Sequence, residues 1–315
     1  MSDTEVRDYQ RIRMEFIKIS VDERKRERVL RQRFADFWAT ASGTPRAIYD
    51  AFISASPLTR DVTLGAVYES NVRGWWVRPQ QAEPGGAILF LHGGGYVQGS
   101  AKAYRGFVSQ IVSRARIPAL VIDYPLAPEA TVPAAPERAM AAWRWLVAQG
   151  FDQIAIVGDS AGGGLTLVTL AELIKKPHGP APIAGVVFSP WVDLAFTGAS
   201  MKDPAVADPL ISYDYLQDCA RKYLGAADSY YALASPLFGD LRGLPPLLIQ
   251  VGTDERLLDD AKQYADRARQ AGVSIDLEIF EGMHHVFQLD VVHLESSRVA
   301  LDRAARFLRN ALDGR

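Results

Sequence analysis

Apolar residues recur along this chain with two different periods, and the change between them divides it. Before residue 40 they fall three to four positions apart: Met14, Ile17, Val21, Val29, Leu30, Phe34, Phe37 and Trp38. Val6 to Arg33, in the same stretch, is dense in Arg, Glu, Asp and Lys. Such spacing predicts amphipathic helices with a solvated, charged face. Gly43-Thr44-Pro45 interrupts the pattern, so residues 1–55 are expected to be helical and unlike the rest. From Asp61 the period shortens to two. Val62 to Glu69 and Asn71 to Arg78 alternate about Ser70-Asn71, which predicts an antiparallel pair of strands.

Further on, short continuously apolar runs alternate with longer helical patterns. Ala87–Leu91, Pro118–Asp123, Ile154–Val157, Ile183–Phe188, Leu247–Val251 and Ile275–Phe280 read as strands, mostly buried on both faces. Helices are expected over Ala103–Arg114, Glu137–Gln149, Gly164–Lys175, Tyr213–Tyr223, Leu257–Gln270 and Val292–Leu312. Ser212 is placed to cap the fourth of these and Gly272 to end the fifth. Residues 190–231 are otherwise irregular. Alternating strands and helices predict an α/β fold with a mostly parallel sheet of about eight strands, helices on both faces. In such sheets chemistry gathers at the carboxyl ends of the strands.

Composition narrows the classes. The 315 residues are 48% apolar with a formal net charge of −2. No global field favours nucleic acid or an anionic membrane surface. The polar, acidic start lacks the features of a signal peptide, and no apolar run spans a membrane. A single cysteine, Cys219, precludes an internal disulfide and fits a reducing cytoplasm. Its position within a helical pattern suits a small apolar filler. No His and Cys fall at metal-ligand spacing, so no metal and no cofactor is expected.

Four stretches carry chemistry. Gly158-Asp159-Ser160-Ala161-Gly162 joins a strand to a helix. A serine on so sharp a turn needs small neighbours, and the turn lifts Oγ above the sheet edge. His92-Gly93-Gly94-Gly95 follows the strand ending at Leu91; its glycines can turn N–H groups toward developing negative charge. His92 itself suits a structural place in that loop. Neither a P-loop nor a dinucleotide fingerprint is present. The general base must be one of His92, His178, His284, His285 and His293. His284 and His285 directly follow the last expected strand; the residues alone leave the pair open. The orienting acid is expected at Asp254, the first carboxylate after Leu247–Val251, with Glu255, Asp259 and Asp260 as rivals.

Taken together, these stretches resemble the bacterial hormone-sensitive-lipase family of esterases, in the branch carrying Gly-Asp-Ser-Ala-Gly. The resemblance covers roughly residues 60–312. It implies the α/β-hydrolase fold with a helical cap: residues 1–55 as N-terminal cap helices, 190–231 as a cap insertion, and 56–189 with 232–315 as the catalytic domain. The family's Gly-Met-any-His motif aligns with Gly282-Met283-His284-His285 and selects His285. The implied triad is Ser160, His285 and Asp254, with Gly93, Gly94 and Ala161 donating the oxyanion amides. Asp123-Tyr124-Pro125-Leu126-Ala127-Pro128-Glu129 matches a family segment except that Pro125 replaces arginine. Val286 replaces a common glycine. Pocket candidates are Phe34, Trp38, Tyr96, Val97, Trp191 and Tyr215.

The resemblance implies a serine carboxylesterase for short- to medium-chain acyl esters. It also implies a homodimer as one assembly, through an exposed edge strand at Ile275–Phe280. Competing readings are a lactone, amide or carbamate hydrolase with the same triad, and a ligand receptor on the same fold. The charged N-terminal helix could also serve as an interaction surface.

Overall fold

The computed structural model describes residues 13–69 and 71–314. Seventeen regular elements follow in chain order: β1 (Arg13–Ile17), α1 (Val21–Thr40), α2 (Pro45–Ile53), β2 (Val62–Glu69), β3 (Val72–Pro79), β4 (Gly86–Leu91), α3 (Arg105–Ala115), β5 (Ala119–Ile122), α4 (Ala134–Ala148), β6 (Gln153–Asp159), α5 (Ser160–Lys175), β7 (Ala184–Phe188), α6 (Tyr213–Leu224), β8 (Leu247–Gly252), α7 (Leu258–Gln270), β9 (Ile275–Phe280) and α8 (Glu295–Leu312). The sheet order is β1-β9-β8-β7-β6-β4-β5-β3-β2. β2 and β3 are antiparallel to their neighbours, and all other pairings are parallel. This is the α/β-hydrolase architecture, with nine strands where about eight were expected.

The central strands β4, β5, β7 and β8 are buried along their whole length, as their unbroken apolar sequence requires. One core lies on the face of the sheet that carries α4, α5 and α7. A second packs α3 and α8 on the opposite face. A third, smaller core joins Leu30 and Phe34 of α1 to Phe280 at the end of β9 and to Met283 and Phe287 beyond it. It brings the N-terminal helix to the end of the sheet where the last motif lies.

The N-terminal region departs from the expected helix at its start. Arg13–Ile17 is a strand parallel to β9. Met14 and Phe16 point outward while Glu15 and Ile17 are half-buried, a period of two that the longer helical pattern obscured. Arg303 of α8 pairs with both Glu15 and Glu278 and fixes this strand against β9. Ile275–Phe280 is therefore an interior strand, and the expectation that it offers an exposed edge is corrected: β1 occupies that edge. The part of the expected helix before Arg13 lies outside the described residues. α1 begins at Val21, where Ser20 accepts the Glu23 N–H. Thr44 caps α2 with Pro45 in its first turn, which suits proline because that N–H has no helical partner. Ser212 caps α6 as expected.

Candidate active site

Ser160 is the first residue of α5 and has φ 52°. That left-handed conformation is costly for a residue with a Cβ and persists only where its surroundings enforce it. They do so by contact. A Cβ on Gly158 would lie 2.3 Å from the Gly162 carbonyl oxygen, and one on Gly162 2.0 Å from that of Leu91. Glycines at 158 and 162 are thus a steric condition of the turn.

Ser160 Oγ lies 2.9 Å from His285 Nε2, and His285 Nδ1 lies 3.0 Å from Glu255 Oε2. Asp254 is not the partner, and that expectation is corrected. β8 runs to Gly252, and the turn after it sends Asp254 outward, where Oδ2 pairs with Arg31 of α1 at 3.0 Å. Glu255 has one more methylene and folds back into the buried space. Its Oε1 accepts the Gly252 N–H at 2.6 Å and the Ser189 hydroxyl at 2.8 Å. Asp259 and Asp260, the other rivals, hold backbone N–H groups of the 190–200 loop. Burial would lower the His285 pKa, but the hydrogen bond and charge of Glu255 outweigh it and raise the base above its ordinary value.

Sequence reasoning missed Ser189. It follows β7, has φ 46°, donates to Glu255 and accepts the Val286 N–H at 3.0 Å. Val286 is itself at φ 51°, unusual for a β-branched side chain. No local pattern around Ser189 announces this bridge, because both its partners are distant in sequence.

The loop His92–Gly95 faces the same point. Gly93 is not available as an oxyanion donor: its N–H is given to Asp159 Oδ1 at 2.9 Å, so that expectation is also corrected. Gly94 and Gly95 line the cavity at Ser160, both with positive φ. Among the described residues neither gives its N–H to another protein group. Ala161 stands in the first turn of α5, where N–H groups have no helical partner. Asp159 also accepts from Tyr104 at 2.9 Å, and Tyr104 bonds Tyr49 of α2 at 2.8 Å. Burial raises the Asp159 pKa to about 7 against the pull of these hydrogen bonds. His92 is structural as expected: Nδ1 bonds the Gly93 carbonyl at 2.7 Å and the ring stacks on Tyr124. Of the other histidines, His178 accepts the Trp143 indole N–H on its backbone carbonyl, and His293 lies beside Arg33. Pro125 stands where the family segment has arginine, and Glu129 of that segment pairs with Arg46 of α2.

Above Ser160 is a cavity of about 580 Å³. The loops that carry Gly94, Ser160 and His285 form one side. Trp38 of α1, Ile48, Tyr49 and Phe52 of α2, and residues 208–216 form the others. Of the pocket candidates, Trp38 and Tyr215 line it. Tyr96, Val97 and Trp191 do not: Tyr96 stacks on Tyr223 and Trp191 is wholly buried. Phe34 lies behind, edge-on to His284. Cys219 packs as a buried filler of α6, against Gly95.

Residues 88–289 match the family model described as the alpha/beta hydrolase fold. An esterase of the bacterial hormone-sensitive lipase family superposes with a TM-score of 0.86 at 38% identity, covering 93% of this chain and 99% of that one. The chain belongs to the bacterial hormone-sensitive lipase family. An acetyl-hydrolase of Streptomyces hygroscopicus is 40% identical over 238 residues, 75% of this chain and 79% of its own. An esterase of Acinetobacter venetianus is 33% identical over 267 residues, 83% of this chain and 87% of its own. No described helix of this hormone-sensitive lipase family member is long and apolar enough to cross a membrane.

Proposed function

We propose that the protein is a serine carboxylesterase acting on short- to medium-chain acyl esters through Ser160, His285 and Glu255. The observation that carries this is the continuous hydrogen-bonded line Ser160–His285–Glu255 opening into the 580 Å³ cavity. Ester hydrolysis as the reaction class agrees with relatives named acetyl-hydrolase, esterase and, in Pseudomonas putida, ethyl acetate hydrolase.

The steps follow from the chemistry of the groups. Neutral His285 takes the Ser160 proton on Nε2 as Oγ bonds to the acyl carbon. Glu255 holds Nδ1–H, which fixes the tautomer and stabilises the imidazolium that forms. The carbonyl oxygen gains negative charge facing the amides of Gly94, Gly95 and Ala161, each such donor being worth on the order of 3 kcal/mol of barrier. The tetrahedral intermediate expels the alcohol oxygen, which takes the proton from His285. Water repeats the sequence on the acyl-enzyme and frees the acid. Residues 21–55 and 190–231 act as the cap: α1, α2 and 208–216 close the cavity, and closure limits acyl length. A reducing compartment, the cytoplasm, fits the single cysteine.

The test is hydrolysis of p-nitrophenyl esters from acetate to palmitate. Turnover that peaks at short or medium chains and is abolished by Ser160→Ala is the expected result. A folded protein that turns over none of them, and whose serine ignores an organophosphate, would sink the reading.

A further inference from the structure

His284, next to the base, is wholly buried, and its environment has no role in the steps above. Its two ring nitrogens face two carboxylates from different elements. Nδ1 lies 3.1 Å from Glu27 Oε1 of α1, and Nε2 lies 3.0 Å from Asp290 Oδ2 beyond the base-bearing loop. An ionised carboxylate only accepts, so with both carboxylates ionised both nitrogens carry hydrogen and the ring is a cation. We propose that His284 is a buried imidazolium that fastens the base-bearing loop to α1 and so positions His285 against Ser160. The proposal rests on the Ser160–His285–Glu255 reading for its catalytic consequence.

The surrounding charges agree. From α1, Arg31 bonds the same Glu27 oxygen at 2.6 Å and reaches Asp254, beyond β8, at 3.0 Å. Phe34 of α1 presents an edge-on ring to the imidazole. Arg24, two turns before Arg31, pairs with Glu281 at the start of the loop. Arg24 is matched by Glu281 and Arg31 by Asp254, so Asp290 and the Glu27 that Arg31 shares are left to the charge of His284. Burial alone would lower the His284 pKa, but the bonds to Asp290 and Glu27 raise it to about 9. His284 and Arg31, against burial, hold Glu27 below the usual carboxylate range.

The loop needs such anchors. Gly282 has φ 68° and Val286 φ 51°, so His285 sits between two left-handed residues. Strained backbone holds one geometry only if its surroundings over-determine it. The Val286 N–H on Ser189 secures one side of the base, and His284 secures the other. Neutral His284 would turn a lone pair toward one carboxylate and release that side. Because the folded pKa is raised, the tether is complete below pH ~6.5 and is lost as pH rises through about 9.

Two measurements test this. Side-chain ¹⁵N NMR at pH 8, with His284 assigned by its absence in His284→Asn, should show both ring nitrogens protonated. Steady-state kinetics on p-nitrophenyl butyrate between pH 6 and 10.5 should show kcat falling on the alkaline side while far-UV circular dichroism is unchanged. Glu27→Gln keeps an acceptor oxygen but removes the charge. Its alkaline fall should move down by roughly one pH unit, with kcat at pH 7 within about threefold of wild type. His284→Asn should lower kcat by ~10- to 100-fold with KM within about threefold, the pattern of a misplaced base. Neutral His284 at pH 8, or a Glu27→Gln profile that superposes on wild type, overturns the proposal. These two results decide it even if His284→Asn does not fold. If the folded wild type hydrolyses no ester, the esterase reading fails while the NMR result still rules on the imidazolium.

Discussion

The two sides of the active site are built by different physics. The nucleophile side is held by steric contact. Gly158 and Gly162 let backbone pass where a Cβ would collide at 2.3 and 2.0 Å, and Ser160 has nowhere else to go. The base side is held by charge and hydrogen bonds. Glu255, Ser189, Glu27 and Asp290 come from four separate stretches to fix two adjacent histidines. The glycine contacts tolerate almost no change of shape and involve no titrating group. A polar site tolerates shape and depends on protonation. Variants on the two sides should therefore fail in different ways.

The largest effect belongs to the nucleophile. Ser160→Ala should lower kcat on p-nitrophenyl butyrate by ~10⁵-fold or more, equivalent to about 7 kcal/mol of barrier, with the thermal midpoint nearly unchanged. Next comes the contrast between neighbouring acids. Glu255→Ala should cost ~10⁴-fold in kcat, whereas Asp254→Ala should cost less than about tenfold. Equal losses, or the reverse order, would return the orienting role to Asp254. Gly162→Ala isolates the steric side: the added methyl meets backbone at Leu91 and His92. Overpacking without room to relax predicts a loss of about 3 kcal/mol in denaturant unfolding.

This contrast also explains what the sequence made legible. The elbow is encoded within five consecutive residues, because the steric demand of a tight turn is local; Ser160, the His92–Gly95 loop and the parallel sheet were all readable. The acid was misplaced by one position. Counting carboxylates after a strand favours Asp254, but only the three-dimensional turn shows that Glu255 can fold back to Gly252 and Ser189. Similarly, Gly93 looked like a donor until its N–H was seen to belong to Asp159. Glu27 lies 257 residues from His284, and nothing in the charged pattern of α1 marks it among its neighbours. Polar tethers of this kind have no spacing rule.

A smaller effect separates the two sides by pH. Glu255 raises the His285 pKa above 6.5, and the base must be neutral to accept the serine proton. kcat/KM should therefore rise with pH through that raised value, before the alkaline fall expected from His284. Glu255→Gln keeps a hydrogen-bond acceptor but removes the charge, so the acid limb should move to lower pH by about one unit as the plateau falls. Gly162→Ala, if enough of it folds, should leave the limb where it is. A limb that moves with the glycine and not with the carboxylate would show that the division into steric and polar sides is wrong.

The smallest expected effect lies in the cap, which both sides share. Trp38 closes the cavity from α1 and is 39% exposed, so it stands at the mouth and not in the core. Truncating it removes a wall without disturbing Ser160 or His285. Trp38→Ala should raise the rate on p-nitrophenyl octanoate relative to butyrate by about three- to tenfold, the range that a few methylenes of apolar contact can supply. The pH dependence of kcat should stay as in wild type, because Trp38 takes no part in the Glu27–His284–Asp290 cluster. If the chain-length ratio stays fixed while the alkaline limb moves, α1 acts on the base alone, and acyl length is set by α2 and residues 208–216. If both move together, Trp38 is one of the contacts that seat α1, and the wall and the tether are one device.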